Sequence, residues 1–212
     1  MNHFTITALC IAIALGLWFW TQKLISLQSE SEQIYDKLHS LTDPWHAWLS
    51  NHTRVTNGLL IASSACIDGI GIFILASALF GSSIRPFLSL LAVFILRQVC
   101  QLTTSLPPPA GMIWRKPGFP SLLVTYGVSN DLFFSGHTAI AVLGAIELSM
   151  LHAPVWFYLG IAIAIFEIVT VIVLRAHYTI DVFTGAIVAG FVCLLSQRYS
   201  PAMDQWLTQF LG

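Results

Sequence analysis

Residues 136–181 read GHTAIAVLGAIELSMLHAPVWFYLGIAIAIFEIVTVIVLRAHYTID. Two apolar runs, Gly136 to Leu151 and Pro154 to Leu174, meet at the short break LHAP, and a histidine stands at the outer end of each. A membrane-crossing helix needs about 20 mostly apolar residues. The pair therefore predicts two spans folded back on each other, which returns His137 and His177 to one membrane face. Asp181 lies four residues beyond His177, so the two side chains share a helix face if the next helix begins by Tyr178.

Working outward, the same pattern recurs at Phe4 to Gln22, Thr56 to Phe80, Ile84 to Leu106 and Thr179 to Ser196. The expected fold is an all-α membrane protein of six transmembrane helices, forming a single integral membrane domain over residues 1–212. Composition agrees: 56% of the residues are hydrophobic and 9% charged, whereas soluble domains carry about a quarter charged. Nine Lys and Arg and a net charge of −1 leave no basic surface for a nucleic-acid backbone. The first apolar run lacks a basic leader and is expected to be a retained span, not a cleaved signal peptide. Cys10, Cys66, Cys100 and Cys193 lie in or beside apolar runs without zinc-site spacing, and read as small buried hydrophobes.

Six spans put both termini on one side. The other, reactive side carries the connections after spans one, three and five. Residues 23–54 form the first of these, where Ile34, Leu38 and Leu41 fit one face of a helix lying along the interface and Trp45 and Trp48 suit the interfacial belt. Residues 107–134 contain Pro107, Pro108, Pro109, Pro117 and Pro120, which exclude a regular helix. That connection is too apolar for a free linker, so a structured loop pressed against the bundle is expected. Lys23, Lys37, Arg54, Arg115, Lys116 and Arg175 on the reactive side, against Arg85 and Arg198 on the other, favour a cytoplasmic reactive face. Substrate-binding duty for some of these cations leaves a lumenal face open.

A carboxylate beside a histidine fixes its tautomer and raises the basicity of the other ring nitrogen, which is then available for attack. A second histidine can protonate a departing alkoxide, the poor leaving group of a phosphodiester lipid. Phosphoryl oxygens also need positive charge, and Arg97 and Arg175 are within reach of the expected site. Arg97 has an alternative use as a structural partner of Asp68, Glu147 or Glu167. Ser135 and Gly136 precede His137 at a helix N-terminus, where free N–H groups favour an anion. Glu147 and Glu167 have two readings: both line the lower end of a lipid cavity, or both are protonated and hydrogen-bonded within the bundle. Trp114, Tyr126, Phe134 and Tyr178 are candidates for holding a headgroup cation or for packing. Because the arginines disfavour a cation at the histidines, no metal site is expected.

SGHT at 135–138 and HYTID at 177–181 resemble the last two signature motifs of the type 2 phosphatidic-acid phosphatase (PAP2) superfamily. HYTID together with TTSLPPPAG at 103–111 is similar to the branch containing sphingomyelin synthases and plant phosphatidylcholine:diacylglycerol cholinephosphotransferases. The resemblance runs from about Arg97 to Phe191. It implies a PAP2-like bundle, no cofactor, and transfer of a phosphoalcohol headgroup, phosphocholine first, from a glycerophospholipid donor to a lipid hydroxyl such as diacylglycerol or ceramide. His177 would be the nucleophile, Asp181 would orient it, and His137 would be the acid and base; Arg97, Ser135, Gly136 and Arg175 would bind phosphate. The phosphatases of the superfamily usually show Lys, six residues, then Arg-Pro. Here Arg85-Pro86 is preceded by Ala78 at the lysine position, which places transferase ahead of phosphatase. A transporter or channel is the non-enzymatic alternative.

Overall fold

The computed structural model describes residues 3–27, 34–126 and 132–211. The stretch 28–33 of the expected interfacial connection and 127–131 of the expected proline-rich loop lie outside the described residues. Among the described residues all regular structure is helical, in the order α1 (His3–Ile25), α2 (Lys37–Asn51), α3 (Thr53–Phe80), α4 (Arg85–Thr103), α5 (Gly136–Ser149), α6 (Pro154–Val173) and α7 (Thr179–Leu211). Helices α1, α3, α4, α6 and α7 are each long and apolar enough to cross a membrane. The protein is an integral, multi-pass membrane protein. Hydrocarbon offers no partner to a backbone N–H or C=O, and a helix meets that condition within itself.

The expected fourth span differs from the other five. Helix α5 has 14 residues, about 21 Å at 1.5 Å per residue, and is short for a span. Its ends are set locally. Ser135 caps the start, its hydroxyl oxygen accepting from the Thr138 N–H. The chain leaves the helix after Ser149, and Pro154 opens α6 in the first helical turn, where a missing N–H is no loss. Helix α5 is buried against α6, α7, α3 and α4 and forms the centre of the core. The outer helices show the converse: Leu9, Ile13 and Leu17 of α1 and Val155, Ile161 and Ile165 of α6 are exposed, as apolar groups facing lipid tails should be.

Helix α7 continues past the expected end at Ser196, through Pro201, to Leu211. This extension has a structural use. Asp204 accepts hydrogen bonds from Ser83 Oγ at 2.7 Å and from the Ile84 N–H at 2.8 Å, capping the turn that leads into α4.

Two connections on the reactive side pack onto the bundle. Asp36 caps α2 through the N–H groups of Leu38 and His39, and the helix that follows has two faces. Leu38, Leu41, Trp45 and Trp48 point outward, while His39, His46 and Leu49 are buried. The proline-rich loop is irregular but well bonded. Trp114 Nε1 donates to the Thr125 carbonyl at 2.9 Å and the Ile113 N–H to the Leu174 carbonyl at 2.9 Å. Asp68 of α3 accepts from the N–H groups of Leu122 and Leu123, both at 2.8 Å. Leu123 and Val124 thereby enter the central core.

Candidate active site

The sequence order His137, α5, α6, His177 is a hairpin, and the structure closes it: the two imidazole centroids are 6.5 Å apart. Both histidines are buried. With Arg97, Trp114, Met112, Thr125, Leu132 and Ala176 they line a cavity of about 30 Å³, room for roughly one or two waters.

His177 is oriented by a partner that has no signature in the sequence. Its Nδ1 donates to the backbone carbonyl of Leu132 at 2.9 Å. A carbonyl only accepts, so Nδ1 carries the proton and the neutral ring keeps its lone pair on Nε2. The Trp114 ring meets the His137 ring edge-on at 5.0 Å, and His137 Nε2 has no hydrogen-bond partner among the described residues. Arg97, buried in α4, donates through Nε to the Phe134 carbonyl at 3.0 Å. This places its guanidinium beside the first turn of α5: a Cβ built on Gly136 would stand 3.0 Å from Arg97 Nε.

The N-terminal ends of α5 and α7 are held together by backbone. The Ser135 N–H donates to the Asp181 carbonyl at 3.0 Å. Gly185 allows the approach, since a Cβ there would lie 2.6 Å from the Ser135 carbonyl oxygen. A histidine pair, a buried guanidinium and a helix N-terminus thus converge on one small enclosed space, a set suited to phosphoryl chemistry. The model of the AtPDCT1/2 family matches residues 35–198.

The chain belongs to the AtPDCT1/2 family. It is a phosphotransferase of the PAP2 superfamily's lipid-headgroup branch, with cholinephosphotransferase-type activity. No curated protein matches the chain. The stretch shared with AtPDCT1/2 begins just before α2, takes in every residue lining the cavity, and ends within α7.

Other residues of this AtPDCT1/2 family member depart from expectation. Helix α7 begins at Thr179, so His177 precedes it and Asp181 sits in its first turn. The Asp181 carboxylate reaches back to the Tyr178 N–H at 2.8 Å, as the third residue of a helix does in a capping box. The same oxygen is 3.7 Å from His177 Nδ1, within charge attraction but beyond hydrogen-bond length. Leu132 therefore makes the hydrogen bond that Asp181 was expected to make.

Arg175 is held away from the cavity. It adopts a left-handed φ of 56°, donates through Nη1 to the Ala110 carbonyl at 2.6 Å and pairs through Nη2 with Asp43. In this structure it ties the proline loop to α2.

The two buried glutamates serve different ends. Glu147 takes both Nη atoms of Arg85, at 2.6 and 2.7 Å, so its hydrogen bonds within the bundle are made to a cation. Its partner is the arginine of the phosphatase-like Arg-Pro pair, which lies at the far end of the bundle from the histidines. Glu167 accepts from Ser63 Oγ at 2.7 Å, which fits hydrogen bonding within the bundle. Of the aromatic candidates, Tyr126 packs on Trp114 at 5.0 Å and shares a 2.6 Å hydrogen bond with Ser64. Phe134 is a core residue. Tyr178 packs on His39 at 5.7 Å, and its hydroxyl accepts from the Ile34 N–H at 3.3 Å. Burial pushes the Tyr178 hydroxyl pKa above its ordinary value, and it stays neutral at physiological pH.

Proposed function

We propose that the enzyme moves phosphocholine from a glycerophospholipid to the hydroxyl of diacylglycerol through a phosphohistidine on His177. The observation that carries this reading is the pair of buried imidazoles 6.5 Å apart beside Arg97, with His177 Nδ1 engaged by Leu132. In the first half-reaction His177 Nε2 attacks phosphorus, the bond from phosphorus to the diacylglycerol oxygen breaks, and protonated His137 gives its proton to that oxygen. In the second, neutral His137 takes the proton of the acceptor hydroxyl, its oxygen attacks phosphorus, and the phosphorus–nitrogen bond breaks. Arg97 and the N-terminus of α5 at Ser135 and Gly136 hold the charge on the phosphoryl oxygens. Asp181, 3.7 Å from His177 Nδ1, stabilises the positive phosphohistidine ring that forms in the first half and is discharged in the second, and it holds the start of α7. Trp114 and Tyr126 supply aromatic faces for the choline cation.

In this reading α5 is a sixth, shortened span that completes a PAP2-like bundle, and residues 1–212 are one integral domain. The described residues of the connection 23–54 lie in the interface, and those of 107–134 form a structured proline-rich loop on the active side. Purified enzyme in vesicles holding headgroup-labelled phosphatidylcholine and unlabelled diacylglycerol tests the reaction. Label should pass to a new phosphatidylcholine species bearing the acceptor's acyl chains. Release of the label as water-soluble phosphocholine, with no labelled lipid product, would refute transfer.

A further inference from the structure

Helix α2 lies outside the cavity, yet its buried face bonds repeatedly to the segment carrying His177. His46 Nδ1 is 2.9 Å from the Val173 carbonyl, and Asp43 pairs with Arg175. His39 Nε2 is 2.9 Å from the carbonyl of His177 itself. At the start of α2, Asp36 accepts from the Thr179 N–H at 2.6 Å and from Thr179 Oγ1 at 2.7 Å.

The His39 contact bears most directly on the chemistry. The peptide unit joining His177 to Tyr178 is held at both polar atoms: its carbonyl by His39 and its N–H by Asp181 at 2.8 Å. With Leu132 fixing the ring, the backbone and side chain of the nucleophile have no free rotation left that keeps these bonds. Because a carbonyl cannot donate, His39 Nε2 carries the proton.

We infer that His39 is a positioning residue of the transfer reaction: through its Nε2–H it fixes the His177 peptide, and so the place of the attacking Nε2. The inference rests on the phosphohistidine reading above. Reacting atoms need placement to within about 0.5 Å, and an error of about 1 Å from a change away from the chemistry lowers rate about 10²-fold. Substrate binding does not need the same accuracy. Loss of the donor should therefore act on kcat more than on KM.

The test compares His39→Phe, which keeps a ring against Tyr178 without the donor, with His39→Gln, which keeps a donor N–H without the ring. Both are prepared as purified full-length chains and assayed in vesicles of phosphatidylcholine and diacylglycerol. The Phe variant should lose about 30-fold or more in kcat with KM for phosphatidylcholine within about twofold, and Gln should restore kcat to within about fivefold of wild type. If the Phe variant is not recovered folded, His39→Ala takes its place with the same thresholds. Wild-type kcat in the donor-free variant, or loss in Gln with retention in Phe, would overturn the inference. His177→Ala runs alongside. An inactive His177→Ala beside a fully active donor-free variant rejects His39 alone, whereas an active His177→Ala rejects the phosphohistidine and this inference with it.

Discussion

The two ends of the helix bundle treat buried charge in opposite ways. At the far end Arg85 grips Glu147 through two bonds of 2.6 and 2.7 Å, and Asp204 is matched to Ser83 and Ile84. At the reactive end His137 Nε2 and Asp181 Oδ1 are buried with no hydrogen-bond partner among the described residues. A buried polar atom left unpaired costs about 1 to 3 kcal/mol, and natural proteins concentrate such exceptions where they have a use. Paired charge at the far end fastens helices; at the reactive end the unpaired atoms belong to the two residues beside His177, where the proposed phosphoryl group would sit.

The largest effect that can break this contrast comes from the nucleophile. His177→Ala should lower headgroup transfer by at least about 10³-fold, with the helical circular-dichroism signal and thermal unfolding midpoint retained. Phosphoenzyme trapped in acid-free quench from labelled donor should disappear in the same variant. Transfer at the wild-type rate would mean that the convergence of imidazoles at this end is packing.

Arg97→Lys sharpens the comparison at the level of a single cation. Lysine keeps the charge but loses the fixed planar fork and the Nε bond to the Phe134 carbonyl. Transfer should fall about 10²- to 10³-fold, the range for losing one preorganised donor to a developing oxyanion. The converse change at the far end is Arg85→Gln. It leaves Glu147, only 4% exposed, without its ion partner, and breaking a buried pair costs about 3 to 5 kcal/mol. The unfolding midpoint should drop, yet kcat per folded molecule should stay within about twofold. A large kcat loss without loss of stability would erase the division between the two ends.

What could be read from the chain follows the same division. The spans were legible because hydrocarbon imposes a composition that needs no knowledge of neighbours. His137 and His177 were legible because each ends an apolar run, and the hairpin between them fixes which face they share. The partner of His177 was not, because Leu132 contributes a backbone carbonyl and any residue type carries one. Asp181 looked like that partner by spacing alone. The helix starting at Thr179 instead drew its carboxylate to the Tyr178 N–H. The partners of Arg175 and Glu147 were hidden for a related reason: sequence distance says which end of a bundle a charge occupies, and not which of several nearby partners it finds. Gly185 carried no signal at all, since its use is visible only as a Cβ that would come within 2.6 Å of Ser135 O. Gly185→Ala should push α7 from α5, lower stability by about 1 to 3 kcal/mol and reduce transfer about tenfold, measured as unfolding midpoint and initial rate.

The smallest expected effect lies between the two ends in character, at the junction of α2 and α7. Asp36 is partly exposed. Burial raises its pKa, but the Thr179 N–H and hydroxyl, the His39 N–H and the charge on the His39 ring outweigh that, so the net direction is below the ordinary carboxylate value. A carboxylate whose folded pKa is depressed contributes stability in full above its unfolded pKa of about 3.9, and loses it as pH falls through the lower folded value. Near it stand Lys37 on its own helix and Tyr178 and Thr179 across the junction; Tyr178 stays neutral throughout the acid range. Asp36→Asn should therefore lower the unfolding midpoint by a few degrees at pH 6, about the shift for 1 kcal/mol in a chain of this size. The gap from wild type should narrow below about pH 4 and close as Asp36 itself becomes neutral. A gap that persists unchanged to pH 3 would assign the effect to altered packing at the junction, and would remove charge from the account of how α2 holds the nucleophile's segment.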